Sequence, residues 1–371
     1  MRQLCVCATI LHHVISSGAG VTVSMNVKTR ANKQSGATIK DVASAAGVSA
    51  MTVSRVLNSE PNVRPATRER VQSAIRDLNY RPNLSARNLA RANAYFIGLL
   101  YDNPSAGYIS ELLIGALNRC RASGYHLVLE SCDSVGTDWS SQIASMLQTS
   151  SFDGIIMPPP VCDNVDVLAA VDEAGIPFVR IAPDTDIDRA PCILTDDRAA
   201  ARRMTEYLID LGHSRIGFVL GPQGHGASRE RHAGFLEGLE VHGLVSDPEL
   251  VVSGAFTYKS GLEAAEQLLS LDDRPTAIFA SNDDMAVAVI ALAHKHALDV
   301  PNDLTVVGFD DTQTATAIWP QLTTVRQPIS DMSSAAIELL ASHLDGDANA
   351  AVRREIRSEI VVRDSSAAPA A

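Results

Sequence analysis

Thirteen lysine and arginine side chains against four carboxylates, all within residues 1–93, make this stretch the densest supply of recognition chemistry in the chain. The remainder carries 18 basic against 39 acidic side chains, so a small basic piece is joined to a large acidic one. That asymmetry suits a polyanion-binding head on a body that keeps the protein in solution. Inside the basic piece, Arg55 can offer two parallel N–H donors to guanine O6 and N7. Ala50 and Met51, about one turn earlier, are apolar and can touch a thymine methyl but make no bidentate hydrogen bond. Thr38, Ser49, Thr52, Ser54, Asn58, Asn62, Thr67 and Tyr80 carry hydroxyls and amides suited to phosphate contacts, which position without specifying.

Other chemistries find less support. Gly221-Pro-Gln-Gly-His-Gly226 follows an apolar strand and has the look of a phosphate loop. It lacks the Gly-Lys-Ser/Thr ending and the dinucleotide glycine spacing, so it reads as an ordinary cleft loop. His294 and His296 stand two apart and face different sides of a helix, so no metal pair is expected. Neither Gly-x-Ser-x-Gly nor His-Glu-x-x-His occurs, and no nucleophile or acid/base pair presents itself. The six cysteines are scattered, without Cys-x-x-Cys or zinc spacing, and read as reduced cytoplasmic thiols.

The elements that must position these groups are legible. Residues 1–37 form an extension, with Met25 inside it as an alternative start. Leu4 to Val23 is apolar but broken by His12-His13 and Ser16-Ser17-Gly18, so it reads as an overcalled start in preference to a secretory signal. Thr38 and Asp41 have the form of a capping box. Ile39, Val42, Ala43 and Ala46 make a short helical stripe that Gly47 ends, and Ser49 caps the next helix, with Val53, Val56 and Leu57 on one face. Helix, glycine turn, helix is the sequence form of a helix-turn-helix. A third helix begins near Pro65, carries Val71, Ile75 and Leu78, and stops before Pro82. The head therefore spans 38–82 and a linker spans 83–93.

From Phe96 onward, short apolar strands alternate with amphipathic helices: Phe96–Leu100, His126–Glu130, Gly154–Met157, Pro177–Ile181, Ile216–Leu220, Ala277–Ala280 and Leu304–Val307. This pattern means parallel sheets covered on both faces, with strands enough for two sheets and not one. The expected body is a two-lobed α/β unit over 94–363 with a ligand cleft between the lobes, followed by a tail at 364–371. No apolar run is long enough to span a membrane.

The segment Thr38-IKDVASAAGVSAMTVSRVLN-Asn58 closely resembles the head of the lactose/galactose repressor (LacI/GalR) family. The likeness continues through Leu78-Asn79-Tyr80-Arg81-Pro82-Asn83 to Ala86-Arg87-Asn88-Leu89-Ala90. In the body it runs through Gly212-His213, Arg231, Ser281-Asn-Asp-Asp-Met285, Val306-Val-Gly-Phe-Asp-Asp311 and Leu322-Thr-Thr-Val-Arg-Gln327. It covers about residues 38–363. The resemblance implies a DNA-binding transcriptional regulator, not an enzyme, with no cofactor and no metal. It implies a periplasmic-binding-protein-like body and a hinge helix that forms on DNA. Asn83, Ala86 and Leu89 are the implied contacts in that hinge, with Leu89 entering the minor groove, where an apolar wedge bends the duplex. Implied effector contacts in the cleft are Tyr108, Arg231, Phe256, Asn282, Asp310 and Gln327.

The expectation is a cytoplasmic repressor of sugar-utilisation genes, released from a near-palindromic double-stranded operator by a small sugar. A homodimer is expected and a tetramer allowed, though no leucine heptads follow Arg363 to support a coiled coil. The body alone would also suit a transport binding protein, against which the basic head argues, or a sugar-processing enzyme, which would need the nucleophile or acid/base pair that does not present itself. Arg180, in Phe178-Val-Arg-Ile-Ala-Pro183, departs from the commoner family pattern and reads as either an added anion contact or a solvated residue.

Overall fold

The computed structural model describes residues 37–57, 62–78, 80, 96–132, 139–347 and 351–370. The chain divides into two compact units, Met1–Arg87 and Asn88–Ala371.

In the first unit, α1 (Ile39–Ala46), α2 (Ala50–Leu57) and α3 (Pro65–Asp77) enclose a small core of Val42, Ala43, Ala46, Val53, Val56, Val71 and Ala74. Asp41 completes the capping box: its carboxylate accepts from the Thr38 backbone N–H at 2.7 Å, and the Thr38 hydroxyl accepts from the Asp41 backbone N–H at 3.3 Å. Gly47 takes φ +64, the left-handed conformation that closes α1. Ser49 Oγ then accepts from the Thr52 N–H at 3.1 Å and starts α2. The predicted apolar face of α3 shifts slightly. Ala74 is buried beside Val71, Ile75 is half-buried, and Leu78 is exposed because it falls at the helix's C-cap.

The second unit holds two six-stranded sheets. The first lobe contains β1 (Phe96–Tyr101), β2 (His126–Ser131), β3 (Gly154–Met157), β4 (Phe178–Ile181), β5 (Cys192–Thr195) and β11 (Arg353–Ile356), in the order β11-β5-β4-β3-β1-β2 and all parallel. The second contains β6 (Ile216–Val219), β7 (Val251–Val252), β8 (Ala277–Ala280), β9 (Thr305–Asp310), β10 (Thr323–Arg326) and β12 (Glu359–Val361), in the order β12-β10-β9-β8-β6-β7. Only β12 runs antiparallel, on β10. The central strands are buried throughout, as expected for a sheet covered on both faces.

Helices α4 (Ala106–Ser123), α5 (Trp139–Thr149) and α6 (Val165–Ala174) cover the first sheet. Helices α7 (Asp197–Asp210), α8 (Gly226–Val241), α9 (Tyr258–Leu269), α10 (Asp283–Lys295) and the short α11 (Gln313–Ala317) belong to the second. The chain crosses between lobes three times. It enters the second lobe after β5, returns with α12 (Ile329–Leu344), which packs in the first lobe's core, and crosses again from β11 to β12.

The segment read as a tail is bound to the second lobe. Ser365 is fully buried; its carbonyl accepts from the Val306 N–H at 2.9 Å, and its hydroxyl accepts from the Thr323 N–H at 2.8 Å. Ala367 donates its N–H to Thr305 Oγ1 at 3.0 Å, and its carbonyl lies 2.9 Å from His213 Nε2.

Candidate functional site

A cavity lies between the lobes, beyond the carboxyl ends of their strands. Tyr108 reaches it from the first turn of α4, after β1, and Ala182 from the end of β4. From the second lobe come Asp197 at the start of α7, Arg231 on α8, Asn282 capping α10 and Asp310 at the end of β9. Phe256, Gln327, His225 and Ala227 line the same side. All six effector contacts implied by the sequence line this one cavity, although they lie on six separate segments.

Arg231 is the centre of its charge network. Its Nε donates to Asp197 Oδ1 at 2.8 Å, its Nη1 donates to the Ser281 carbonyl at 2.6 Å, and its Nη2 stands 3.4 Å from Asp310 Oδ1. The guanidinium lies over the Phe309 ring, 3.7 Å from its centroid. Asp197 also accepts from Thr195 Oγ1 at 2.5 Å and from Gln327 Nε2 at 3.4 Å. Burial works against the charge on Arg231, but Asp197 and Asp310 outweigh it and raise its pKa. Burial pushes the Asp310 carboxyl well above the usual carboxylate range; Arg231 opposes this while Asp283 and Asp197 reinforce it. The Tyr108 phenol is also pushed up, by burial first and then by Asp310 and Asp197.

The local backbone is strained where it meets the cavity. Ala182, Phe256 and Asp310 take φ values of +46, +56 and +114, and Asp311 follows at +57. Such strain clusters at ligand sites because surrounding contacts must over-determine it. Those contacts are present. Asp311 is gripped by Arg326 Nε at 2.7 Å and Arg363 Nη2 at 2.6 Å. Asp283 accepts from the Thr312 N–H at 2.7 Å and Thr324 Oγ1 at 2.6 Å, and burial raises its carboxyl to about 7. Asn282 is largely committed to structure: its Oδ1 accepts from the Met285 N–H at 3.0 Å and its Nδ2 donates to the Phe256 carbonyl at 3.2 Å. It therefore holds Phe256 in place. The Phe256 ring lies where a Cβ on Gly221 would stand, so only glycine fits beneath it. Gly226 similarly leaves room for Asp184 of the facing lobe, which pairs with Arg229. Ser105 Oγ, on the other lobe edge, donates to Asp284 Oδ2 at 2.7 Å.

Asp197 and His225 line the cavity but were not singled out in the sequence. Asp197 gave no signal beyond its place before an amphipathic helix. His225 stood in the glycine loop rejected as a phosphate site. Arg180 corrects both of its readings, since it is completely buried and neither an anion contact nor solvated. Its Nε donates to the Cys162 carbonyl at 2.7 Å, its Nη1 to the Asp186 carbonyl at 2.6 Å, and its Nη2 to Asp163 Oδ1 at 2.7 Å and the Thr185 carbonyl at 2.6 Å. It staples the loop after β4 to the turn that precedes α6.

On the head, Met51 and Arg55 are both exposed on the same face of α2, one turn apart. Ala50, Thr52, Ser54, Thr67 and Tyr80 are half-buried, while Thr38, Ser49 and Asn62 are exposed. The hydroxyls of Ser49 and Thr52 lie 3.0 Å apart at the start of α2. Asn58, Asn83, Ala86 and Leu89 lie outside the described residues. Among the described residues, no group of His, Cys, Asp and Glu is arranged to hold a metal ion, and no helix is long and apolar enough to cross a membrane.

A basic helix-turn-helix unit and a two-lobed body with a polar cavity define a DNA-binding regulator of the periplasmic-binding-protein-like class. Residues 38–83 match the model of bacterial regulatory proteins of the lacI family, and residues 205–366 match the periplasmic binding protein-like domain. Catabolite control protein A of Priestia megaterium is 36% identical over 314 residues, covering 83% of this chain and 92% of that protein. The transcriptional regulator CelR in complex with cellobiose shares 30% identity at a TM-score of 0.69, covering 89% of this chain and 100% of that one. The Lac repressor dimer bound to operator and the anti-inducer ONPF superposes with a TM-score of 0.75 at 27% identity, covering 90% and 99% of the two chains. The chain belongs to the lacI family of bacterial regulatory proteins, whose members similar to it are transcriptional repressors and not enzymes.

Proposed function

We propose that this protein represses sugar-utilisation genes and leaves a near-palindromic operator when a small sugar enters the cleft. One observation carries the reading. Residues from six segments converge on one cavity and leave Gln327 Oε1 buried without a hydrogen-bond partner, and Asp310 Oδ1 with only a 3.4 Å ion pair to Arg231 Nη2 and no hydrogen bond. Buried acceptors without partners are costly, and a polyol hydroxyl supplies the missing donor. The cellobiose held by the related CelR supports the same chemistry.

In this proposal Arg55 reads guanine in the major groove, Ala50 and Met51 make apolar contacts, and the surrounding hydroxyls fix the register on phosphate. Residues 83–93 act as the hinge, with Asn83, Ala86 and Leu89 on DNA. The working form is a cytoplasmic homodimer matching a two-fold operator, with a tetramer allowed. The sugar changes operator affinity only through its differential affinity for two arrangements of the lobes.

A gel shift of the full chain on its own promoter DNA tests the reading. Binding should weaken steeply between about 50 and 200 mM salt, as phosphate contacts require, and should be released by a sugar that raises the protein's thermal midpoint. Retention on random DNA with equal affinity at every salt concentration would remove the repressor reading.

A further inference from the structure

Asp196 stands at the N-cap of α7, where an aspartate ordinarily accepts from the first N–H groups of its own helix. It makes no such bond. Its carboxylate reaches instead to the third crossing between the lobes, the one from β11 to β12. Oδ1 accepts from the Ser358 N–H at 2.8 Å, and Oδ2 accepts from Arg203 Nη2 at 2.9 Å. The same Nη2 donates to the Ser358 carbonyl at 3.0 Å, so one ion pair holds both backbone groups of Ser358. Burial pushes the Asp196 carboxyl up, but the hydrogen bonds from Arg203 and Ser358 outweigh it and lower its pKa, so it is ionised near pH 7.

The next residue faces the other way. Asp197 lies in the cavity wall, accepts from Arg231 Nε at 2.8 Å, and accepts from Gln327 Nε2 at 3.4 Å. Gln327 belongs to the second crossing, from β10 to α12. Two consecutive carboxylates in the first crossing thus reach the other two. The strands flanking the third crossing are fixed to their own lobes. Ion pairs Arg353–Asp188 and Arg354–Glu338 tie β11 to the first lobe, and Arg326–Glu359 ties β12 to the second. Only Arg357 and Ser358 separate these two strands. Helix α7, in turn, is locked to α8. A Cβ on Gly234 would stand 2.1 Å from the Arg198 carbonyl oxygen, and one on Gly238 would stand 2.7 Å from the Thr205 side chain. Displacing Arg231 on α8 therefore displaces the start of α7, and both carboxylates with it.

We propose that Asp196 is the positioning residue of the hinge between the lobes. It pins the third crossing to the first, so the lobes turn about one axis and do not splay at a single crossing. A ligand that shifts Arg231 and Asp197 is thereby converted into one rotation of the lobes. The hinge does not depend on what fills the cleft; its use as a relay to the operator rests on the sugar-in-cleft reading above.

The test compares the full chain with Asp196→Ala and Asp196→Asn. Asparagine keeps an acceptor for the Ser358 N–H but loses the charge that holds Arg203. Hydrogen exchange of the ligand-free proteins is the first arm. In Asp196→Ala, amides that pair β11 with β5 and β12 with β10 should exchange at least about tenfold faster, while those of β3 and β8 keep the parent's rates. Asp196→Asn should fall between. Faster exchange at Ser358 alone marks a local turn contact and overturns the proposal. Equal acceleration in β3 and β8 also overturns it, because that marks general destabilisation. The second arm titrates operator DNA with whichever of D-glucose, D-ribose and cellobiose raises the parent's thermal midpoint. Asp196→Ala should bind that sugar, and the sugar-free operator, within about threefold of the parent. The sugar should weaken its operator binding by less than about threefold, against at least about tenfold in the parent. An undiminished response overturns the relay. A parent that responds to none of the three sugars counts against the sugar reading, and the exchange arm alone then decides the hinge.

Discussion

Replacing Asp310 with glycine separates a ligand-binding residue from a folding one. Asp310 holds φ at +114, a conformation that L side chains rarely adopt. Releasing such strain returns about 1–3 kcal/mol. The opposing loss is a single 3.4 Å ion pair to Arg231, which keeps Asp197 and the Ser281 carbonyl as partners. The removed carboxyl is also one that burial already disfavours as a charge. The two effects nearly offset, so the variant should melt within about 4 °C of the parent, on either side. Effector binding should behave differently. Leaving a buried ligand hydroxyl without its partner costs about 1–3 kcal/mol, or roughly 5–150-fold in affinity. Scanning calorimetry with and without the bound sugar reads both quantities. A midpoint that falls by more than about 8 °C while the sugar-induced rise persists would show that Asp310 is core and not site.

Four further outcomes follow from the same contacts. Arg55→Ala should cost about 1–3 kcal/mol on operator DNA and relax preference at one base pair per half-site, measured by competition binding; equal loss on random DNA would mark Arg55 as a phosphate contact. Arg180→Met should destabilise the body by about 3–5 kcal/mol in urea unfolding, because Asp163 and three main-chain carbonyls lose their shared, fully buried donor. Ser365→Ala should cost about 1–3 kcal/mol by orphaning the Thr323 N–H and the Val306 carbonyl; an unchanged midpoint would mean that the C-terminal strap is idle. The folded pKa of His225 lies below its ordinary 6.5, at about 4, so the unfolded chain binds more protons within that window. Stability from this group is full above the upper value and is lost as pH falls towards the lower one, by at most about 3 kcal/mol. Asp283, raised to about 7, acts in the opposite sense, so the effect should be read as the difference between the parent and His225→Asn across the same pH series.

The head was legible in the sequence because its signals are local. Thr38 with Asp41, then Gly47, then Ser49, mark caps and turns within a dozen residues, and the structure uses each as read. Apart from the edge strand His126–Ser131, the strands that pattern reading found are apolar and lie inside the sheets. Those it passed over lie near edges or are short or polar: Val251–Val252 has two residues, and Arg353–Ile356 is mostly charged and exposed. The cavity is a different matter. No periodicity joins Tyr108 to Gln327, so those residues came through family resemblance alone. Arg180 misled because three of its four acceptors are main-chain carbonyls, which no side-chain pattern displays. Ser365 misled for a related reason, since its partners are backbone groups of β9 and its neighbour Thr323. His225 was visible only as a residue between glycines. Gly221 and Gly226 were the available signal, and their purpose, room for Phe256 and for Asp184, needed the folded neighbours to interpret.

In the proposed function a small sugar in the cleft controls the head's grip on DNA. Fluorescence anisotropy of labelled promoter DNA, titrated with the full chain at fixed salt, tests it directly. With the sugar that raises the thermal midpoint present at saturation, the operator Kd should weaken by at least about tenfold, a coupling of roughly 1.4 kcal/mol. The Asp310→Gly variant should bind the operator like the parent and ignore the sugar. A sugar that stabilises the body while leaving the operator Kd unchanged would contradict the account.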